Sequence, residues 1–155
     1  MLWESRMKTL ASGEVMSEIR VRLKTVRVDD QARWGNMTAK QMVRHLRCAY
    51  EMALGDRTIH PAEGFAPVLM KWVSLRSGIR WPKNIQTAPD LKRAILERSK
   101  TEFDVLVHAT VEKMEALARG ASCVPTHPMF GPMSEKDWMR WGYLHADHHL
   151  RQFGR

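Results

Sequence analysis

Thr38-Ala39-Lys40-Gln41-Met42-Val43-Arg44-His45-Leu46 sets a hydroxyl residue three positions ahead of a glutamine, at the head of an apolar run. This is the pattern of a capping box. The threonine oxygen accepts from the first-turn amides, and the glutamine reaches back to the amide of the threonine. Downstream, Met42, His45, Leu46, Ala49 and Ala53 share one face at helical spacing until Gly55-Asp56. A helix is predicted here, and His45 lies on its apolar stripe.

Working outward, Ser134 and Asp137 repeat the device, with aspartate in place of the usual glutamate. The helix they open carries Trp138, Trp141, Leu144, His145, His148, His149 and Gln152, and ends near Gly154. A first helix follows Ser12-Gly13-Glu14 on Val15, Ile19, Leu23 and Val26. Asp29-Asp30 breaks it, and Trp34-Gly35-Asn36 reads as a turn. A short third helix runs from about Ala62 to Leu75, behind Pro61, and Ser77-Gly78 closes it. Residues 79–89, with Trp81-Pro82-Lys83 and Pro89, form a loop that packs over something. Asp90 caps one long fourth helix on Leu91, Ile95, Phe103, Leu106, Val107, Thr110, Met114 and Leu117, as far as Gly120. The loop Cys123 to Met133 precedes the last helix. The predicted fold is all-α: a four-helix bundle with an extra short helix, a single domain over residues 1–155.

Composition agrees with this. At 44% hydrophobic and 27% charged residues, with 6 Trp and 11 Met, the chain has the apolar volume for one core. Two distant cysteines, Cys48 and Cys123, make no disulfide framework and read as reduced thiols. The first eight residues lack the apolar run of a signal peptide. The longest apolar stretch, Phe65 to Leu75, contains Lys71 and is too short for a bilayer. The expected location is therefore cytoplasmic, with no membrane association. The net charge of +8 is scattered through every segment, without zinc-finger or RNP spacing, which disfavours nucleic acid as a partner.

The chemistry is carried by His145-Ala146-Asp147-His148-His149-Leu150-Arg151-Gln152. Four-residue spacing stacks His145 and His149 on one helix face, where both can reach one ion. The tryptophans at 138 and 141 mark that face as the inward one. His148, three residues from His145, is near it too, and spacing alone does not choose between His148 and His149. A third ligand from another helix would be His45 or His108, the histidines on other periodic helices. Neutral imidazoles suit zinc, nickel, iron or copper more than magnesium or calcium. Three protein ligands would leave a position for water or substrate. His60 and His127, each beside a proline, read as loop residues, and Cys48 as a buried inert thiol.

The segment Trp34 to Leu46 resembles the start of the second helix in DinB-like (YfiT-like) proteins. The tail, His127-Pro128-Met129-Phe130-Gly131 with Tyr143-Leu144-His145-Ala146-Asp147-His148-His149-Leu150-Arg151-Gln152-Phe153-Gly154, resembles a branch of that superfamily with no established reaction. The two blocks cover about a third of the chain. The resemblance implies a bundle whose helices are not joined in simple up-down order. It implies a divalent transition metal, zinc or nickel foremost, on one histidine of the second helix and two of the last. The family pattern sets the last ligand three residues before a glutamine, which selects His149 and makes the metal set His45, His145 and His149. Trp138, Trp141, His148 and Gln152 are expected to line a substrate pocket, walled in part by the loops around Trp81 and His127 to Phe130. His148 or Asp147 could support the ligands from behind.

Superfamily members include transferases and isomerases that bring a low-molecular-weight thiol to the metal, which lowers the thiol pKa. The implied function is metal-dependent transfer or hydrolysis on a small molecule, using a thiol or water nucleophile. Its alternative is a non-catalytic metal-binding or stress-response scaffold. A homodimer is implied by resemblance only.

Overall fold

Each capped stripe becomes a helix in the computed structural model of the chain, which describes residues 7–60, 67–83, 85, 89–96 and 100–155. The helices are α1 (Gly13–Lys24), α2 (Ala39–Ala53), α3 (Pro67–Arg76), α4 (Pro89–Leu96), α5 (Phe103–Ala118) and α6 (Glu135–Gln152). The caps at Ser12, Thr38 and Ser134 form, whereas Asp90, expected to cap a helix, lies inside α4 and accepts from His60 N. Ser12 Oγ accepts from Val15 N at the start of α1. Thr38 Oγ1 accepts from Gln41 N, and Gln41 Oε1 accepts from Thr38 N, at 3.2 and 2.9 Å. Ser134 and Asp137 make the same reciprocal pair at the head of α6, at 3.2 and 3.0 Å.

The bundle consists of α1, α2, α5 and α6. Both α1 and α2 pack against α5 and α6, so α1 and α2, consecutive in the bundle, are separated by later helices, while α5 and α6 pack on each other. The core fills with Leu10, Ile19, Leu23, Met42, Leu46, Tyr50, Met114, Leu117, Trp138 and Leu150, all essentially inaccessible. Next to the histidines, α6 comes unusually close to its neighbours at Gly142. A Cβ there would lie 2.6 Å from Leu10 Cδ1 and 3.0 Å from Leu117 Cδ2. Tyr50 Oη donates to the Gly142 carbonyl at 3.0 Å and ties α2 to α6 at the same level.

Three expectations are corrected or bounded here. The long fourth helix is two helices, α4 and α5. Residues 100–102 are not helical, and Glu102 is extended at φ −60°, ψ 148°. From Glu97 to Glu102 the sequence Glu-Arg-Ser-Lys-Thr-Glu has no apolar side chain, so the stretch has no stripe to bury. The break lets α4 and α5 each pack on α2. The Cys123–Met133 loop is not wholly irregular. Strands β1 (Thr126–His127) and β2 (Gly131–Pro132) pair antiparallel, with His127 opposite Gly131. The expected beginning of the third helix near Ala62 lies outside the described residues, and α3 is seen from Pro67. Beyond α3, Trp81 Nε1 donates to Ser74 O at 2.9 Å, and Arg140 Nε donates to Leu75 O at 3.1 Å. The first bond folds the segment after α3 back onto that helix, and the second ties the end of α3 to α6. Among the described residues no helix is long and apolar enough to cross a membrane.

Candidate metal centre

His45 comes from the inward stripe of α2, one turn past its capping box. His145 and His149 come from successive turns of α6. Their rings meet in a triangle, with centroids 4.9 Å apart for His45 and His145, 4.6 Å for His45 and His149, and 5.0 Å for His145 and His149. Among the described residues, these three are the group of metal-ligating side chains whose donor atoms all lie within 4.8 Å of one another. His45 Nε2 and His145 Nε2 are 2.9 Å apart. Two imidazole nitrogens held at about 2.0–2.1 Å from one zinc ion lie roughly 3 Å from each other, so the spacing suits a shared ion.

The tautomer of His149 follows from its neighbours. Gln152 Nε2 donates to the Trp34 carbonyl at 2.8 Å, which turns Gln152 Oε1 toward His149 Nδ1, also at 2.8 Å. That oxygen only accepts, so Nδ1 carries the proton and Nε2 keeps a lone pair for the centre of the triangle. His45 Nδ1 and His145 Nδ1 are buried and have no partner among the described residues. A buried polar atom left so costs about 1–3 kcal/mol, and an ion held on the Nε2 side would leave that cost in place. What points to a site is on the other side of the rings, where three buried imidazoles bring donor atoms within 4.8 Å of one another.

Electrostatics keep the three rings neutral. Burial pushes His45 down to about 4, with the neighbouring His148 adding to the effect. Burial, followed by the charge His45 would carry, holds His145 and His149 well below the ordinary imidazole range. At neutral pH all three therefore offer lone pairs. Three buried neutral histidines close together could hold a metal ion.

The remaining predicted residues surround this centre at different distances. Trp141 lies 5.0 Å from His145, ring to ring. Trp138 stands one ring further out, against Trp141 and His127, and its Nε1 donates to Val124 O. His148 is outside the group of three; its ring lies 5.1 Å from His149, 5.9 Å from Trp34 and 6.1 Å from Trp81. Trp81 also faces His145 at 5.9 Å and Phe130 at 6.3 Å, so the two loops meet over α6. Asp147 does not back the histidines; it binds Arg22 and Arg151 at 2.9 and 2.8 Å. His108 is exposed beside Glu112, and His60 is exposed beside Asp90. Cys48 packs with Leu91 and Ala94 in a separate small cluster.

Two residues read as loop furniture take larger parts. His127 is buried, stacked on Phe130 at 4.6 Å. Its Nδ1 accepts from the backbone amides of Met129 and Phe130 at 3.0 and 3.3 Å, so Nε2 carries the proton. Trp34, read as part of a turn, offers its carbonyl to Gln152 and its ring to His148. Trp34 has no local signature, because its partners are on α6, whereas His127 bonds within its own hairpin, to amides two and three positions on.

Residues 6–155 match the family described as "Protein of unknown function (DUF1569)". No curated protein and no solved structure matches the chain.

Proposed function

Because the chain belongs to the DUF1569 family, we propose its function from its own site: a DinB-like protein that binds one divalent transition metal, zinc or nickel foremost, on His45, His145 and His149. The observation that carries this reading is the convergence of three buried neutral imidazoles, one with its proton fixed on the outer nitrogen. Three imidazoles brought together in the core, with His45 Nε2 and His145 Nε2 2.9 Å apart, are what a shared ion would hold together. The resemblance of the Trp34–Leu46 and Tyr143–Gly154 segments to DinB-like proteins points the same way.

The activity we assign is transfer or hydrolysis on a small molecule with a thiol or water nucleophile. A divalent ion with three neutral ligands supplies Lewis acidity, which activates a bound nucleophile at neutral pH. The chain's own residues supply the rest. Gln152 orients His149 through Nδ1 and is itself held by Trp34. Trp81 and Trp141 cover the two sides of His145 and exclude water from it. His127, its proton on Nε2, is a neutral donor beside Trp141. The deep burial of all three ligands also suits a scaffold that holds a metal without turnover, so the tests must separate binding from catalysis.

Elemental analysis of protein purified without an affinity tag decides the first point. About one zinc or nickel per chain is expected, falling to background in His45→Ala. Protein that takes up no transition metal on reconstitution overturns the proposal. A screen of the loaded protein with low-molecular-weight thiols and electrophilic acceptors decides the second.

A further inference from the structure

The tryptophans that flank the histidines also wall a cavity of about 420 Å³. Its lining comes from three separate segments: Arg33 and Trp34; Arg80, Trp81 and Lys83; and the end of α6 with the residues after it. Five of the lining residues are cationic and none is acidic. Arg151 and Arg155 are already neutralised, by Asp147 and Asp30. Arg33 and Arg80 have no carboxylate partner among the described residues, and Lys83 Nζ stands 5.1 Å above the Trp34 ring.

Arg33 is placed, not merely present. Its backbone N–H donates to Gln152 O at 2.7 Å. Its guanidinium lies flat on Gly154, so close that a Cβ there would come within 2.6 Å of Nη2. Unpaired cations gathered in one concavity repel each other and focus a positive potential into it. Guanidinium groups recognise carboxylate and phosphate through paired N–H bonds. The volume is that of a small-molecule site. The inner walls lead to the histidines, since Trp34 touches His148, and Trp81 touches both His145 and His148.

We propose that this cavity binds a small molecule bearing a carboxylate or phosphate, with the anionic group on Arg33 and Arg80 and the apolar body between Trp34 and Trp81. Directing the molecule's other end at His145 rests on the metal reading above; the anion site itself does not. The same Gln152 that orients His149 holds the Trp34 wall, so occupancy of the cavity and geometry of the histidines are mechanically linked.

The test uses the full chain, both metal-stripped and zinc-loaded, titrated calorimetrically with phenyl phosphate, benzoate and neutral benzyl alcohol. At least one of the two anions should bind saturably and tenfold or more tighter than the alcohol, in both forms of the protein. Whichever anion is tighter identifies the source as phosphate or carboxylate. The double variant Arg33→Gln/Arg80→Gln, its fold checked by circular dichroism, should lose at least tenfold in affinity. Arg119→Gln, at the end of α5 and outside the cavity, should lose none. Equal binding of the alcohol, or an unchanged double variant, overturns the proposal. It is also overturned if a single-stranded oligonucleotide binds through Arg33 and Arg80 while neither small anion does. Anion binding in a protein that takes up no zinc overturns the metal reading and leaves this one standing. Zinc uptake without anion discrimination does the reverse.

Discussion

Replacing Gln152 by leucine should separate the support of the proposed metal ligands from the ligands themselves. The glutamine makes two hydrogen bonds of 2.8 Å, one to the His149 ring and one to the Trp34 carbonyl. Leucine keeps most of the volume and makes neither bond. Each bond contributes about 0.5–1.5 kcal/mol net, and the buried His149 Nδ1–H is left without an acceptor at a cost of about 1–3 kcal/mol. The Trp34 carbonyl, on a half-buried turn, recovers a water. The metal-free variant should therefore be less stable by roughly 2 kcal/mol, lowering the urea midpoint by about 1 M for a chain of this size. Zinc affinity, measured by competition with a chromophoric chelator, should fall by about 10–100-fold, because His149 no longer has its proton fixed on the outer nitrogen. Gln152→Glu distinguishes the two roles. A carboxylate still accepts from His149 but faces the Trp34 carbonyl with a second acceptor. Stability should drop while zinc affinity holds well above that of the leucine variant. A leucine variant with wild-type affinity would refute the reasoning, and so would equal losses in both variants.

Other perturbations test the frame around the site. Gly142→Ala adds a methyl where Leu10 and Leu117 leave no room. Overpacking of about 1–3 kcal/mol should outweigh a helix-propensity gain of about 1 kcal/mol, and thermal unfolding should show a lowered midpoint. His127 is held down to about 3 by burial, against about 6.5 in the unfolded chain. Its contribution to stability is complete above pH 6.5 and is lost as pH falls toward 3, at up to about 1.4 kcal/mol per unit. In metal-free protein, His127→Gln should flatten the fall in urea midpoint between pH 6.5 and 4; parallel wild-type and variant curves would contradict this. Thr38→Ala removes the capping box at the head of α2 and should cost about 1 kcal/mol in chemical unfolding. Its effect should be seen in stability without a change in which residues bind metal.

Much of this protein is legible along the chain because helices are local. Thr38 with Gln41 and Ser134 with Asp137 mark two helix starts within four residues each, and both caps form as written. Periodicity alone carries His45 and His145 inward and leaves His148 and His149 both near the inner face. Even the break between α4 and α5 has a local sign, the six polar residues from Glu97 to Glu102. That sign is easily passed over, because Leu91, Ile95 and Phe103 still fit one helical period across it.

What spacing left open, contacts between distant segments decided. His148 and His149 differ by about 100° around one helix, and only the rotation of α6 against α2 turns His149 toward His45 and His148 toward Trp34 and Trp81. The outer proton on His149 depends on a carbonyl 115 positions earlier in the chain, reached through Gln152. The cationic cavity gathers Arg33, Arg80 and Lys83 from two connecting segments that have no period to read. Periodicity reports which side of an element faces the core. Which atoms meet there is set by the packing of elements against each other, and that information is carried by no single stretch of the sequence.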